Sequence, residues 1–479
     1  MSGPLRAGQR LIGLFIDGNW LLQGVWFNLL TTLGCVHSML FGAFHMDFYM
    51  ARGLSATEVA AVHSFFSLWN PLNDIVAGLL VDEWVARGFG SRLLLAVWAN
   101  AGYAATTWFA FQELSLPAWV QYALAISLSD GFAAVAGAVN GLILIEQTSE
   151  DRQRIQIQRL NSLFGCLEWL VMSGAYWLWD ARPGEGQAFR GYLSAVCGGS
   201  ALVTLLSVQK LQPSKPMRAA HSESFWQRMR QFLRLANQHG NFWRYAALTA
   251  ALEAENVFFR QFDVIIIRLL LNSWLTCAKV LLMIGDPLCG CLSFALTWVA
   301  ERPGLGVYWV TLGALRVRML VSLVSLSLVA VLWVLDGRSV AASCLFCVLM
   351  VLLRAATRPA ANLGAIAFAS VIQEHSLLAQ ELCHPLTEDD AGKYWMLRAA
   401  LVKPLNSLGP VLGTSALAAA GYRPTEGTVT PELWWLCAWL PAVVSLAVSA
   451  ASLRSWINFT LHGERLEQLK AWRPELQKV

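Results

Sequence analysis

Charge is what this chain has least of. Only 14% of its 479 residues are Asp, Glu, Lys or Arg, where a soluble globular chain carries about 25%. The net charge of +4 is too small to recruit nucleic acid by electrostatics, so no nucleic-acid partner is expected. Metal-ligand spacing is missing as well. There is no HExxH, and the one CxxC (Cys344, Cys347) has no second pair and sits in the middle of an apolar run. The ten cysteines therefore read as small buried hydrophobes rather than as a zinc site or a disulfide framework. His375, Cys383, His384 and the acidic run Glu388, Asp389 and Asp390 gather polar groups, but at no ligand spacing. No cofactor, metal or enzyme chemistry is expected. The polar start MSGPLRAGQR leads into a long apolar run without a small-residue cleavage site, as expected of a retained signal anchor.

What the chain has instead is apolar length. Hydrophobic residues make up 56%, with 22 tryptophans. Spanning a bilayer takes about 20 apolar residues per helix. Runs of that kind fall near 24–46, 57–81, 93–112, 117–145, 160–180 and 191–209, and again near 243–258, 269–300, 312–335, 339–366, 394–421 and 432–453. The pattern predicts an all-α polytopic membrane protein with 12 transmembrane helices in two six-helix halves, 1–209 and 243–453, and a tail at 454–479. The break at 210–242 is basic. Its residues 224–236 suit an amphipathic helix with Phe225, Met229, Phe232 and Leu235 on one face, lying flat at the membrane interface or serving as a calmodulin-like target. If the N-terminus is cytoplasmic, 23 Lys and Arg fall inside and 7 outside, so the positive-inside rule puts both termini in the cytoplasm.

Six spans, a basic loop and six more is the layout of major-facilitator transporters, whose halves are related by an axis along the membrane normal. An ionisable group at mid-bilayer depth costs at least ~2.5–3.5 kcal/mol on insertion scales, and such groups are usually paired and functional. Asp74, Asp130, Arg354 and Lys403 lie deepest. Glu168, Glu253, Glu255, Lys279, Asp286, Arg358 and Arg398 also fall within the spans, several near helix ends where snorkelling would account for them. In the second span Asn70 and Asp74 are four apart and share a helix face. Together they could hold Na⁺, or Asp74 alone could carry a proton; the alternative is a structural polar stripe. Gly78, Asp82, Arg87, Gly90 and Arg92 follow as a gating turn that latches neighbouring helices. Lys403 directly precedes Pro404, and Pro410 adds a second break, which suits a kinked helix lining a cavity. Lys403 could equally be a structural partner of Asp74 or Asp130. Asn73-Asp74 with Gly78 is echoed by Gly285-Asp286-Pro287 with Gly290, at the place where a duplicated six-helix unit would repeat it.

The stretch WNPLNDIVAGLLVDEW with its following Gly/Arg loop resembles the second-helix signature of the glycoside-pentoside-hexuronide:cation symporter branch of the major facilitator superfamily. LVKPLNSLGPVLGT, the DGF at Asp130, and the stretch from Asn362 through His375 to the acidic loop resemble a narrower eukaryotic branch, that of transmembrane protein 180. The resemblance implies a secondary transporter working by alternating access on a small-molecule solute. By motif, its cation-binding aspartates fall on Asp74 and Asp130 and its eleventh-helix lysine on Lys403. Apart from the motif, Lys403, Arg354 and Asp286 are candidates for the substrate cavity or a charge network. The first aspartate of the usual second-helix pair falls on neutral Asn70, and Gly34 stands near the place of the first-helix sugar aspartate. Losing an acid favours H⁺ coupling or uncoupled facilitation over Na⁺. Lipid-like substrates stay open, because relatives in the wider branch include a lysophospholipid carrier. The competing expectation is a transporter-like receptor or scaffold that no longer transports.

Overall fold

The computed structural model describes residues 20–86, 89, 91–147, 151–179, 186–210, 225–271, 275–302, 305–381, 390–422 and 429–469. Among the described residues there are twelve helices of at least 19 residues, six before and six after one shorter helix in chain order. They are α1 (Trp20–Ala51), α2 (Ala56–Ala86), α3 (Arg92–Ala110), α4 (Ala118–Gln147), α5 (Asp151–Leu178) and α6 (Gln187–Lys210), then α7 (Phe225–Gln238), and then α8 (Gly240–Leu270), α9 (Leu275–Ala300), α10 (Gly306–Val334), α11 (Val340–Glu381), α12 (Asp390–Ala419) and α13 (Pro431–Ile457). A chain in lipid must satisfy its backbone groups internally, and helices do so. Their ends carry local stops. Ser55 and Glu58 form a reciprocal capping box at the start of α2. Ser91 caps α3 through the Leu94 amide, and Thr430 with Pro431 starts α13.

Seven of these helices are long and apolar enough to cross a membrane by length and composition. α8 falls short of that measure because it carries Glu253, Glu255, Arg260, Asp263 and Arg268. The interior is largely apolar but carries polar stripes, and the outward faces are apolar too. In α10, Thr311, Arg318, Ser322 and Ser325 are buried on one stripe, while Val317, Leu320, Val324 and Val331 face out. In α2, Leu68, Trp69, Leu72, Ile75 and Val76 form the outward face. Such a surface fits lipid and not water.

Two expectations are corrected. The seventh long helix does not stop near 258; α8 runs unbroken to Leu270, so residues 259–268 are helical and Arg260 and Arg268 leave the outside loop. The charges crowded into this stretch depress local hydropathy, which makes the run look interrupted in sequence. The amphipathic segment does form a helix, α7, but the two described residues of its expected membrane face turn toward protein, while Leu233 on another face is exposed. Phe232 and Leu235 are buried, and Phe232 packs on Tyr394 of α12 with ring centroids 4.9 Å apart. His239, between α7 and α8, bonds Tyr394 and Glu374 at 2.9 and 3.0 Å, so α7 is clasped to the end of the bundle.

Candidate functional site

Helix α5 gives the scale. Near its start Arg159 pairs with Glu301, just past α9. In its middle Glu168 accepts from Arg358 of α11 at 2.5 Å. Just past its end, Trp179 donates to Asp47 of α1 at 2.7 Å. Roughly twenty residues at 1.5 Å each span about 30 Å, one hydrocarbon thickness, with Glu168 close to the midpoint.

A cavity of about 270 Å³ lies at that level between α1, α5, α8, α9 and α11. Its polar lining is mostly ionic. Asp263 pairs with Arg354 at 2.6 Å, Glu168 with Arg358, Glu255 with Arg318, and Glu253 more loosely with Arg398 at 3.8 Å. Thr357 adds a hydrogen bond to Glu255 at 3.3 Å. Arg260, also lining the cavity, bonds the Ser38 hydroxyl of α1. It crosses α1 at Gly42, where a Cβ would lie 2.3 Å from the Arg260 Cδ, so a glycine is needed for that approach. Met39, Met172, Tyr176 and Phe259 supply an apolar share of the wall.

The cavity is tied off at the ends of the bundle. Where α1 and α8 finish, Asp47 accepts both guanidinium nitrogens of Arg268 at 2.8 and 2.9 Å, and Arg268 also donates to Tyr422 at 3.1 Å. At the opposite end stands Arg159 with Glu301.

A second charged cluster lies where α2 and α4 meet α12. The Lys403 ammonium is 2.5 Å from Asp130 and 3.5 Å from Asp74. Asn73 donates to Asp130 at 2.8 Å. Asn70 donates to Ser407 at 3.2 Å, and Ser407 in turn bonds the Lys403 carbonyl. Asp74 Oδ2 is buried without a hydrogen-bond partner among the described residues. The helices approach at Gly78, where a Cβ would lie 2.2 Å from Met396 Cγ. The corresponding approach of α9 to α5 passes Gly290, whose Cβ would meet the Ser162 carbonyl at 3.4 Å.

The structure thus brings Asp74, Asp130 and Lys403 together, with Asn70 on the same interface, and separates them from Arg354, which lines the cavity. Lys403 does not line it. Of the residues expected in the substrate cavity or charge network, Lys403 pairs with Asp130 and Asp74, and Arg354 lines the cavity paired with Asp263. The side chains of Asp286 and Asp82, and all of Arg87 and Gly90, lie outside the described residues; Gly78 is a helix crossing, and Arg92 opens α3. Cys383, His384, Glu388 and Asp389 also lie outside them. His375 is buried and bonded to Tyr394 at 2.6 Å, and no metal-holding group of His, Cys, Asp or Glu occurs among the described residues. In sequence, the cavity residues Glu168, Glu253, Glu255 and Arg358 are hard to tell from helix-end charges, and Arg260 and Asp263 are hidden by the false break in α8. Their signal is the spacing of Glu253, Asn256, Arg260 and Asp263, one helical face at steps of three and four.

That layout of helices around a mid-depth cavity can be compared with known structures. The xylose-proton symporter XylE, bound to 6-bromo-6-deoxy-D-glucose, superposes with a TM-score of 0.59 at 13% identity, covering 94% of this chain and 97% of that one. A bacterial homologue of the human lysosomal transporter Spinster, inward-facing and unoccupied, gives 0.58 at 13% identity, over 96% and 98%. The chain has the major-facilitator fold. The nucleoside transporter NupG has the same fold at a TM-score of 0.51 and 12% identity, over 91% and 100%. In sequence, mouse (Mus musculus) transmembrane protein 180 is 22% identical over 472 residues, 86% of this chain and 87% of that protein. No family model matches.

Proposed function

We propose that the chain is a secondary transporter that moves a small organic solute by alternating access. The halves 1–209 and 243–453 rock about the cavity, joined by the linker 210–242, with the linker, the tail and both termini in the cytoplasm. One observation carries this reading: a polar cavity at mid-depth, closed toward each end by ion pairs that join the first six long helices to the last six. Packed interfaces of this kind have discrete arrangements, so breaking one pair set while the other holds gives two access states. XylE and NupG are named as transporters of xylose and nucleosides, which supports a solute of metabolite size.

For coupling, the Asp74–Asp130–Lys403 cluster has two acids and one ammonium. A further positive charge balances it, and the unsatisfied Asp74 Oδ2 is a place for a proton. Na⁺ prefers several oxygen ligands, whereas the Lys403 ammonium already stands 2.5 Å from Asp130 and 3.5 Å from Asp74 and repels a second fixed cation, so we assign H⁺ as the coupling ion. The test is uptake of a solute panel into sealed proteoliposomes under imposed pH and Na⁺ gradients. Acceleration by a proton gradient, lost in Asp74→Asn, is expected. Uptake of no solute under any gradient would leave the chain as a receptor or scaffold and end the transport reading.

A further inference from the structure

The polar lining of the cavity is not satisfied internally, and the groups left open describe a ligand. Among the described residues each lining acid has a guanidinium partner: Glu168 with Arg358, Glu253 with Arg398, Glu255 with Arg318, Asp263 with Arg354. Arg260 is the exception. Its one recorded polar partner is the neutral Ser38 hydroxyl, and no carboxylate lies within ion-pair distance of it among the described residues. A guanidinium facing a cavity with donors to spare is a carboxylate receptor, since its planar fork matches two oxygens.

The same cavity holds the opposite need. Glu168 Oε1, Glu255 Oε1 and the Asn161 Oδ1 are buried acceptors without a hydrogen-bond partner among the described residues, and all three residues line the space. Buried acceptors left unsatisfied are costly. Two belong to carboxylates, which bind a charged N–H donor about twice as strongly as a neutral one. Met39, Met172 and Phe259 leave room for an apolar group between these poles. The volume of about 270 Å³ falls below the ~300–1,000 Å³ of drug-sized sites.

We propose that the cavity binds a small zwitterion of the α-amino-acid type, its carboxylate on Arg260 and its ammonium against the acceptors of Glu168, Glu255 and Asn161. A zwitterion satisfies both walls without changing the charge of the site. It also offers Glu168 an ammonium in place of Arg358, and that pair joins α5 to α11 across the two halves. Occupancy therefore loosens a contact that holds the halves together. The identity of the ligand deepens the transporter reading, but binding stands apart from transport.

The test uses the full chain in lipid nanodiscs and isothermal titration with one skeleton in four forms: L-leucine, isoamylamine (no carboxylate), 4-methylpentanoate (no ammonium) and 2-hydroxy-4-methylpentanoate (hydroxyl for ammonium). L-serine and L-phenylalanine bracket the size, and xylose is the neutral comparison. We expect at least one amino acid to bind, and the leucine form to exceed each of its truncated forms about tenfold or more. Arg260→Gln should bring leucine down to the level of isoamylamine while leaving isoamylamine itself unchanged, a split that a general loss of packing would not produce. Equal binding of any truncated form, stronger binding of xylose, no binding by any amino acid, or leucine binding unchanged in Arg260→Gln overturns the proposal. If Arg260→Gln does not fold, the four forms on the wild-type protein still decide. Binding without uptake of labelled leucine into sealed liposomes would refute transport and leave the site intact; uptake of another solute without amino-acid binding would do the reverse.

Discussion

Replacing Asp47 by asparagine keeps the shape of the side chain and removes the charge that closes one end of the bundle. The carboxylate is fully buried and accepts three hydrogen bonds, two from Arg268 at 2.8 and 2.9 Å and one from Trp179 at 2.7 Å. Taking one partner from a buried ion pair typically costs about 3–5 kcal/mol. Arg268 is 22% exposed and keeps the Tyr422 hydroxyl at 3.1 Å, so solvent recovers part of that and about 2–3 kcal/mol remains. If this pair opens in the alternation, the closed-to-open ratio at that end falls about 30- to 150-fold. The native thiol of Cys35, which lines the cavity, reports the change. An impermeant thiol reagent added outside should label Asp47→Asn much faster than wild type, and a Cys35→Ser background should abolish the difference. Labelling rates within about twofold of each other, against the ratio worked above, would mean that Asp47 and Arg268 are not a gate.

Three further outcomes follow from the same geometry. Lys403→Met leaves Asp74 and Asp130 facing each other without their shared ammonium, so the folded protein should lose about 3 kcal/mol in denaturant unfolding, and Asp130→Asn in that background should recover part of it. Gly78→Val puts a side chain where Met396 Cγ already stands 2.2 Å from a Cβ; a cost of about 1–3 kcal/mol is expected, relieved by Met396→Ala in a double-mutant cycle. Burial lowers the His239 pKa from its ordinary 6.5, while its hydrogen bond to Glu374 works against that shift. A base held below its unfolded pKa stabilises the fold fully above that value, so stability should fall as pH drops below about 6.5. His239→Gln should flatten that slope in thermal unfolding, and an unchanged slope would assign it to other groups.

The apolar runs make most of the helices legible, since length and hydropathy dominate in lipid. They fail at α8, where a helix facing a polar cavity loses the very signal that marks a span. Asp74, Asp130 and Lys403 stand out because each lies deep in an apolar run, away from its ends, and the fold brings the lysine within 3.5 Å of both acids. The cavity does not stand out. Glu168 and Arg358 are 190 positions apart, and nothing local in either segment names the other. Arg318 lies near the start of the apolar run 312–335, where snorkelling would account for it, yet it is fully buried against Glu255. Asp47 looks in sequence like the polar edge of a span, whereas its partners Trp179 and Arg268 come from elsewhere in the bundle. Pairing across the bundle is a tertiary fact that periodicity does not carry.

Transport of the proposed kind depends on the two ends of the bundle opening in alternation. Spin-label pairs in nanodiscs read both ends: positions 114 and 336 across one, 89 and 305 across the other, all on exposed residues. Titrating pH, or adding a ligand that binds the cavity, should lengthen one distance distribution as the other shortens. Two ends that widen together, as in a channel, or that hold single fixed distances under every condition, would contradict alternating access.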